Sequence, residues 1–236
     1  RIVRGPETLL YGSNTIGGVI DVSRQSNLDL RFKKVSFLSL VGAESSNNGA
    51  FANFTIYVPI KGAMLNADYE LKPTVKHQFK FSLLRRSADN QTTPLGVLDN
   101  TGLSNDELAA SYSFFGSAHR TTISYEQLKM DYGLPGSPEG HIDGVNLKMD
   151  KRSQKLNHHR DISFLGFRTF DLDQRFINYN HSEYVTGSDY ASVSMGQNLF
   201  SLQGKLVGGQ LTLGSLFQYR DFRAGGFYWT PDTEEI

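Results

Sequence analysis

Phe51-Ala52-Asn53-Phe54-Thr55-Ile56-Tyr57-Val58-Pro59-Ile60 divides cleanly by twos. Ala52, Phe54, Ile56, Val58 and Ile60 fall on one side, and Asn53, Thr55 and Tyr57 on the other. A β-strand sends successive side chains to opposite faces, so this is the pattern of a strand with one apolar and one polar face. The same period continues in 62–71, where Ala63, Leu65, Ala67, Tyr69 and Leu71 oppose Met64, Asn66, Asp68 and Glu70. In 76–86, Phe79, Phe81 and Leu83 oppose Lys76, Gln78, Lys80 and Ser82. In 210–221, Leu211, Leu213, Phe217 and Tyr219 oppose Thr212, Gln218 and Arg220. No segment of similar length keeps a helical stripe. The fold class expected is all-β, with roughly eight to ten strands after residue 33 by the spacing of the turn signals. The pattern does not fix the register of 145–180.

The connections alternate in length. Long, turn-rich stretches are expected at 87–105, 133–145, 183–189 and 223–236, and short ones at Lys61-Gly62, 116–118, about 160–166 and Gly208-Gly209. The polar strand faces carry Lys, Asp, Glu, Gln and Arg, which a sandwich core or a narrow barrel could not bury. A wide, wet or plugged lumen accommodates them. The chain of 236 residues has 24 basic and 24 acidic side chains, so nothing in its charge argues for nucleic acid. Cysteine is absent, which excludes disulfides, thiolate metal sites and cysteine nucleophiles. No window approaches the roughly 18 apolar residues of a membrane helix, but a membrane strand needs only about 10, alternating. Sixteen phenylalanines and eleven tyrosines suit a barrel with aromatic girdles and equally a soluble β-sandwich, so composition alone does not separate the two.

Ahead of the strands stands Arg4-Gly5-Pro6-Glu7-Thr8-Leu9-Leu10-Tyr11-Gly12-Ser13-Asn14-Thr15-Ile16-Gly17-Gly18-Val19-Ile20-Asp21-Val22. Gly5-Pro6 and Gly12-Ser13-Asn14 set turns, and Val19-Ile20-Asp21-Val22 resumes an extended run. A phosphate loop is excluded, because no Gly-Lys-Ser/Thr ending or helix follows. As an ordered string this stretch resembles the end of the plug domain of TonB-dependent outer-membrane receptors: Arg-Gly-Pro, then Leu-Tyr-Gly, then Ile-Gly-Gly-Val-Ile. The motif residues are Arg4, Gly5, Pro6, Tyr11, Gly12, Gly17 and Gly18. Asp131-Tyr132-Gly133-Leu134-Pro135-Gly136, Gly144-Val145-Asn146-Leu147-Lys148-Met149 and Phe217-Gln218-Tyr219-Arg220-Asp221-Phe222 are similar to barrel segments of the branch that includes zinc-uptake receptors.

The resemblance implies a transmembrane antiparallel β-barrel of 22 strands around a plug. Residues 1–24 would end the plug, 25–34 would link it to the barrel, and 35–236 would form the barrel's N-terminal portion. Arg1 falls inside the motif, so the expectation is a fragment of a longer chain. The box that contacts TonB would lie upstream, and the strands that close the barrel downstream. The implied location is the outer membrane of a Gram-negative bacterium, in contact with lipid bilayer and lipopolysaccharide. The implied function is TonB-energised uptake of a scarce ligand: a siderophore–iron complex, cobalamin, haem, zinc or similar. The other readings are a passive or structural barrel and a soluble secreted β-sandwich that binds glycans.

Candidate ligand contacts are Tyr11, Ser13 and Asn14 at the plug apex, and His141 and Asp143 in an outer loop. His141 and Asp143, with Glu139 nearby, also form the candidate metal site, since imidazole and carboxylate at this spacing suit Zn²⁺ or another transition metal. His158-His159 looks like a metal motif, but neighbours on a strand face opposite ways and cannot share an ion without a bulge. Arg1, Arg4, Glu7 and Asp21 would face charges on the barrel wall. Tyr132, Phe227, Tyr228 and Trp229 are expected as girdle anchors. No Gly-x-Ser-x-Gly elbow or other catalytic constellation occurs. Neither enzyme activity nor a resident cofactor is expected.

Overall fold

The computed structural model describes residues 2–4, 18–20, 31–65, 71–137, 142–188, 190–209, 211–226 and 233–235. They form fourteen strands and no helix. Strands β1 (Ile2–Arg4) and β2 (Gly18–Ile20) pair antiparallel with each other. The main body follows as β3 (Ser36–Glu44), β4 (Gly49–Leu65), β5 (Leu71–Ala88), β8 (Leu103–Phe115), β9 (His119–Leu134), β10 (Val145–Phe164), β11 (Phe167–Val185), β12 (Val193–Gly208), β13 (Thr212–Gly226) and β14 (Thr233–Glu235). Between β5 and β8, β6 (Gln91–Thr93) and β7 (Gly96–Leu98) make a small hairpin of their own. The ten main strands form one antiparallel sheet in which each strand pairs with its neighbours along the chain, apart from that hairpin. Among the described residues β3 and β14 are its two edges.

Register defines the sheet's two faces, because side chains directly opposite each other across a ladder point the same way. One face carries an apolar band. It runs through Phe37 and Val41, Phe54 and Ile56, Phe81 and Leu83, Leu108 and Tyr112, Ile123 and Tyr125, Phe176, Phe200 and Leu202, and Phe217 and Tyr219. On β10 and β11, Gln154 and Gln174 interrupt it, diagonal to one another. The other face carries Thr55, Gln78, Lys80, Ser82, Ser113, Thr122, Glu126, Ser153, Lys155, Asp171, Asp173 and Lys205.

Exposure is inverted relative to a water-soluble sheet. On the apolar-band face Phe37 is 64% exposed, Phe217 59% and Leu83 55%. On the polar face Thr122 is 1% exposed, and Gln78, Tyr57, Thr55, Ser113 and Ser153 are also buried. Of the exposed leucines on the polar face, Leu38, Leu40 and Leu216 belong to outer strands of the sheet, and Leu134 is the last residue of β9. Part of the polar face is covered by residues 31–32. The Phe32 N–H donates to Gln78 Oε1 at 2.9 Å, its ring stacks on Tyr57 at 4.2 Å, and Arg31 lies over the Phe115 ring at 4.4 Å.

The two ends of the sheet differ. At one end the links are 66–70, 116–118, 165–166 and 209–211; at the other they are 45–48, 89–102, 135–144, 186–192 and 227–232. Alternation of short and long connections is thus present from β5 onward, with boundaries shifted; 45–48, at the second end, is itself short. Lys61-Gly62 is not a turn. It lies inside β4, beside a register shift opposite Lys76; 62–65 continue β4 and Leu71 opens β5. Glycine serves there to make room: a Cβ on Gly62 would meet Lys76 Cδ at 2.6 Å. A glycine inside a strand pattern marks a bulge as often as a reversal. The last stretch, expected to be loop through 236, contains β14.

Short-end links are tight. Leu165 and Gly166 form a two-residue turn with φ of 48° and 83°, the sign pair of the type I′ hairpin. Gly166 adopts that conformation freely, whereas Leu165 is strained there and 82% exposed. Leu165→Asn should therefore stabilise the β10–β11 hairpin by roughly 1 kcal/mol. A higher denaturation midpoint in urea checks this, and an unchanged or lower midpoint would contradict it.

Candidate functional site

Functional side chains are best sought where the sheet offers ordered loops and a shielded face. Both occur at the long-loop end. There Asn100, at φ 57°, donates from Nδ2 to the Leu134 carbonyl at 2.6 Å and to the Val145 carbonyl at 3.1 Å. It thereby stitches the 89–102 connection to the tops of β9 and β10. Asn90 Oδ1 accepts from the N–H groups of Thr101 and Gly102 at 2.9 and 3.0 Å. The Thr186 N–H donates to the Gly144 carbonyl at 3.0 Å, joining the next connection to the last. These connections form one hydrogen-bonded rim rather than separate tails.

Beneath the rim the polar face changes character. Leu103, Tyr132 and Leu147 lie across from one another, followed by Glu183 and Val193. One rung down stand Asn105, Met130, Met149, His181 and Met195 in direct register across β8 to β12. Along β11 the same face presents Tyr179, His181 and Glu183. His181 Nδ1 lies 3.1 Å from the Tyr179 hydroxyl. Its Nε2 is buried with no hydrogen-bond partner, and Glu183 Oε1 stands 3.5 Å away. Asn105 Oδ1, on the same rung, is also buried and unpartnered.

Towards the short-link end the polar face holds an open cleft of about 410 Å³ lined by Lys155, Asp173, Arg175, Ser201, Gln203 and Gln218. Several polar groups in and beside it are paired. Lys155 Nζ is 3.0 Å from Glu126, His159 Nδ1 is 2.6 Å from Asp171, and Asn157 donates to Asp173.

Most of the residues singled out from sequence are not brought together here. Gly5, Pro6, Tyr11, Gly12, Ser13, Asn14, Gly17 and His141 lie outside the described residues, as do Glu7, Asp21, Glu139, Phe227, Tyr228 and Trp229. Arg4 and Gly18 are paired with each other in the β1–β2 ladder. Asp143 is exposed in the 135–144 connection. Among the described residues no three of His, Cys, Asp and Glu converge as a metal site. His158 and His159 do face opposite ways: His158 Nδ1 meets Thr121 Oγ1 at 2.8 Å on the apolar-band face, and His159 meets Asp171 on the other. Tyr132 is corrected from girdle anchor to a position under the rim, because its register with Leu103 and Leu147 places it on the polar face. A row of rings does line one edge of the band, on other residues. His77, Phe114, His119, His158 and Phe170 follow one another at ring separations of 5.2 to 6.5 Å along the short-link edge of the band. The methionine–histidine rung was not found from sequence. Its signal, three of the chain's four methionines falling in register, exists only once the pairing of β9 to β12 is known.

No known protein-family model matches this chain, and no curated protein matches it. Asn100→Ala should loosen the rim alone. Loss of two hydrogen bonds and a poorer fit to positive φ should cost about 1–2 kcal/mol. Limited proteolysis should then cut within 89–102 while strand content by circular dichroism stays constant; equal cutting of both proteins would contradict the stitching role.

Proposed function

We propose that these strands form part of the wall of a TonB-dependent outer-membrane receptor, a barrel of 22 strands closed around a plug. One observation carries the reading: the apolar band is largely uncovered, while most of the buried strand residues lie on the polar face. In water this arrangement leaves a broad apolar surface unpaid for; in a bilayer it is the expected one. Strand length supports it. β10 has 20 residues, about 65 Å of extended chain, whereas crossing a bilayer takes about 10 residues. The excess lies towards the long loops. There the band face turns polar, with Asp150 and Arg152 paired at 2.9 Å and Asn178 and Asn198 hydrogen-bonded at 2.8 Å. The row of rings at the other edge, the short links on that side and the long ones opposite all suit a periplasmic and an external end.

The path of 31–32 over the polar face supports a linker entering a lumen from the short-link side, and the 4–22 motif supports a plug. In such a receptor a scarce ligand is held between outer loops and plug apex, and TonB then drives plug rearrangement. No covalent chemistry is required of the chain. A soluble sandwich would need a second layer over Phe37, Phe81 and Phe217. A passive barrel would share the wall but not the energy requirement.

The absence of cysteine makes single-cysteine probes clean. A fluorophore on Phe81→Cys should be quenched by a lipid-borne nitroxide. Ser82→Cys, on the neighbouring residue but the opposite face, should instead react with a water-soluble maleimide in membranes. Equal water accessibility at both would sink the membrane reading. Dissipating the proton gradient should abolish ligand accumulation by cells; persistence of uptake would favour the passive barrel.

A further inference from the structure

We propose that Met149, His181 and Met195 form a binding site for a soft monovalent metal ion, with Cu(I) as the physiological ion of that class. They occupy three adjacent strands in direct register, so both thioethers stand on the same face as the imidazole and flank it on either side. Directly opposed side chains have Cβ atoms about 5 Å apart. A methionine, unbranched and with three rotatable bonds, can carry its sulfur over a neighbour at that spacing.

The histidine is arranged as a ligand. Its side chain is only 12% exposed, and Nε2 is buried without a hydrogen bond. A buried polar atom left unpartnered costs stability and calls for an explanation such as a bound ion. The Tyr179 hydroxyl, 3.1 Å from Nδ1, supplies the support that ligating histidines characteristically have. If Nδ1–H donates to that oxygen, the proton sits on Nδ1 and the Nε2 lone pair is available to a metal. Glu183 Oε1, 3.5 Å from Nε2, offers negative charge beside the ion without completing a hard-ligand set.

Ligand chemistry sets the metal. Two neutral thioethers and one imidazole are soft to intermediate donors and select Cu(I). Zn²⁺ is held by thiolate, imidazole and carboxylate, and no cysteine is present to supply the first. Met130, directly opposite Met149, extends the row by one further thioether towards β9. The site rests on sheet register and on the burial and contacts of His181; its service as a station for imported metal would rest on the receptor reading.

The test uses the purified whole chain in detergent, with Cu(I) kept reduced by ascorbate and competed against bicinchoninate. One Cu(I) per chain is expected, with both sulfur and nitrogen scatterers bound to the metal in its X-ray absorption spectrum. Met149→Leu combined with Met195→Leu preserves side-chain volume and should weaken binding at least 100-fold. Met64→Leu, at the remaining methionine, should leave it unchanged. Absence of Cu(I) binding, a spectrum without sulfur, equal affinity in the double variant, or tighter binding of Zn²⁺ than of Cu(I) would each overturn the proposal. The spectrum of the unsubstituted protein decides the matter even if the double variant does not fold. Failure of energised uptake in cells would count against the receptor reading and leave the site standing.

Discussion

The rest of the structure depends on the locking of strand period to strand period across the sheet. A strand alternates sides every residue, and a ladder forces its neighbour to alternate in step. A slip of one residue would exchange the faces of every strand beyond it. From β8 to β13 the described ladders run almost without interruption, with register shifts confined to the β10–β11 turn and the adjacent end of the β11–β12 ladder. The shift between β4 and β5 likewise falls near the short-link end, beyond the band residues Phe54, Ile56, Phe81 and Leu83. Irregularity is thus placed where it cannot scramble the faces. Two long-range properties follow from that single constraint: an apolar band along one side, broken only at Gln154 and Gln174, and a mainly polar surface on the other.

Those surfaces set opposite demands on their surroundings. Apolar side chains the size of Phe217 or Leu83 gain about 1.5–3 kcal/mol each when taken out of water, so a face full of them requires a cover. Polar side chains have the reverse problem, and here they solve it laterally. Thr55 and Ser82 share a hydrogen bond of 2.8 Å, and Ser113 and Thr122 one of 2.9 Å. Such pairs let small hydroxyl residues be shielded without an unsatisfied group. The polar face can therefore be enclosed at little cost, while the apolar face cannot be left in water without one. Lipid outside and a filled or hydrated interior meet both demands together.

Much of this was legible in the sequence because period two is a local property. Phe54, Ile56 and Val58 announce their shared face without reference to any other strand. What failed was whatever depends on a partner. Lys61-Gly62 reads as a turn, since glycine beside a polar residue usually is one; only opposite Lys76 does the glycine show its purpose as clearance. Tyr132 reads as an anchor from its place near a loop, but its face is set by Leu103 and Leu147, which lie far along the chain. In 145–180 both faces are polar, with Lys148, Asp150 and Arg152 on one and Lys151, Ser153 and Lys155 on the other, so alternation has no contrast to display. The methionine–histidine rung crosses that stretch and was invisible for the same reason.

Two places on the polar face could serve a ligand, and they differ in how their donors are employed. In and beside the cleft near the short-link end, several groups already answer one another: Lys155 with Glu126, His159 with Asp171, and Asn157 with Asp173. A ligand that engages Lys155 or Asp173 there must break an existing pair. Under the rim, His181 Nε2 and Asn105 Oδ1 are shielded from water yet have no hydrogen-bond partner. A group held dry and unspent gains fully from an incoming partner, because the cost of its desolvation has been met in folding. Apolar neighbours such as Leu147 and the methionines strengthen that preference by keeping the local dielectric low. The long-loop end is for this reason the better-prepared binding surface.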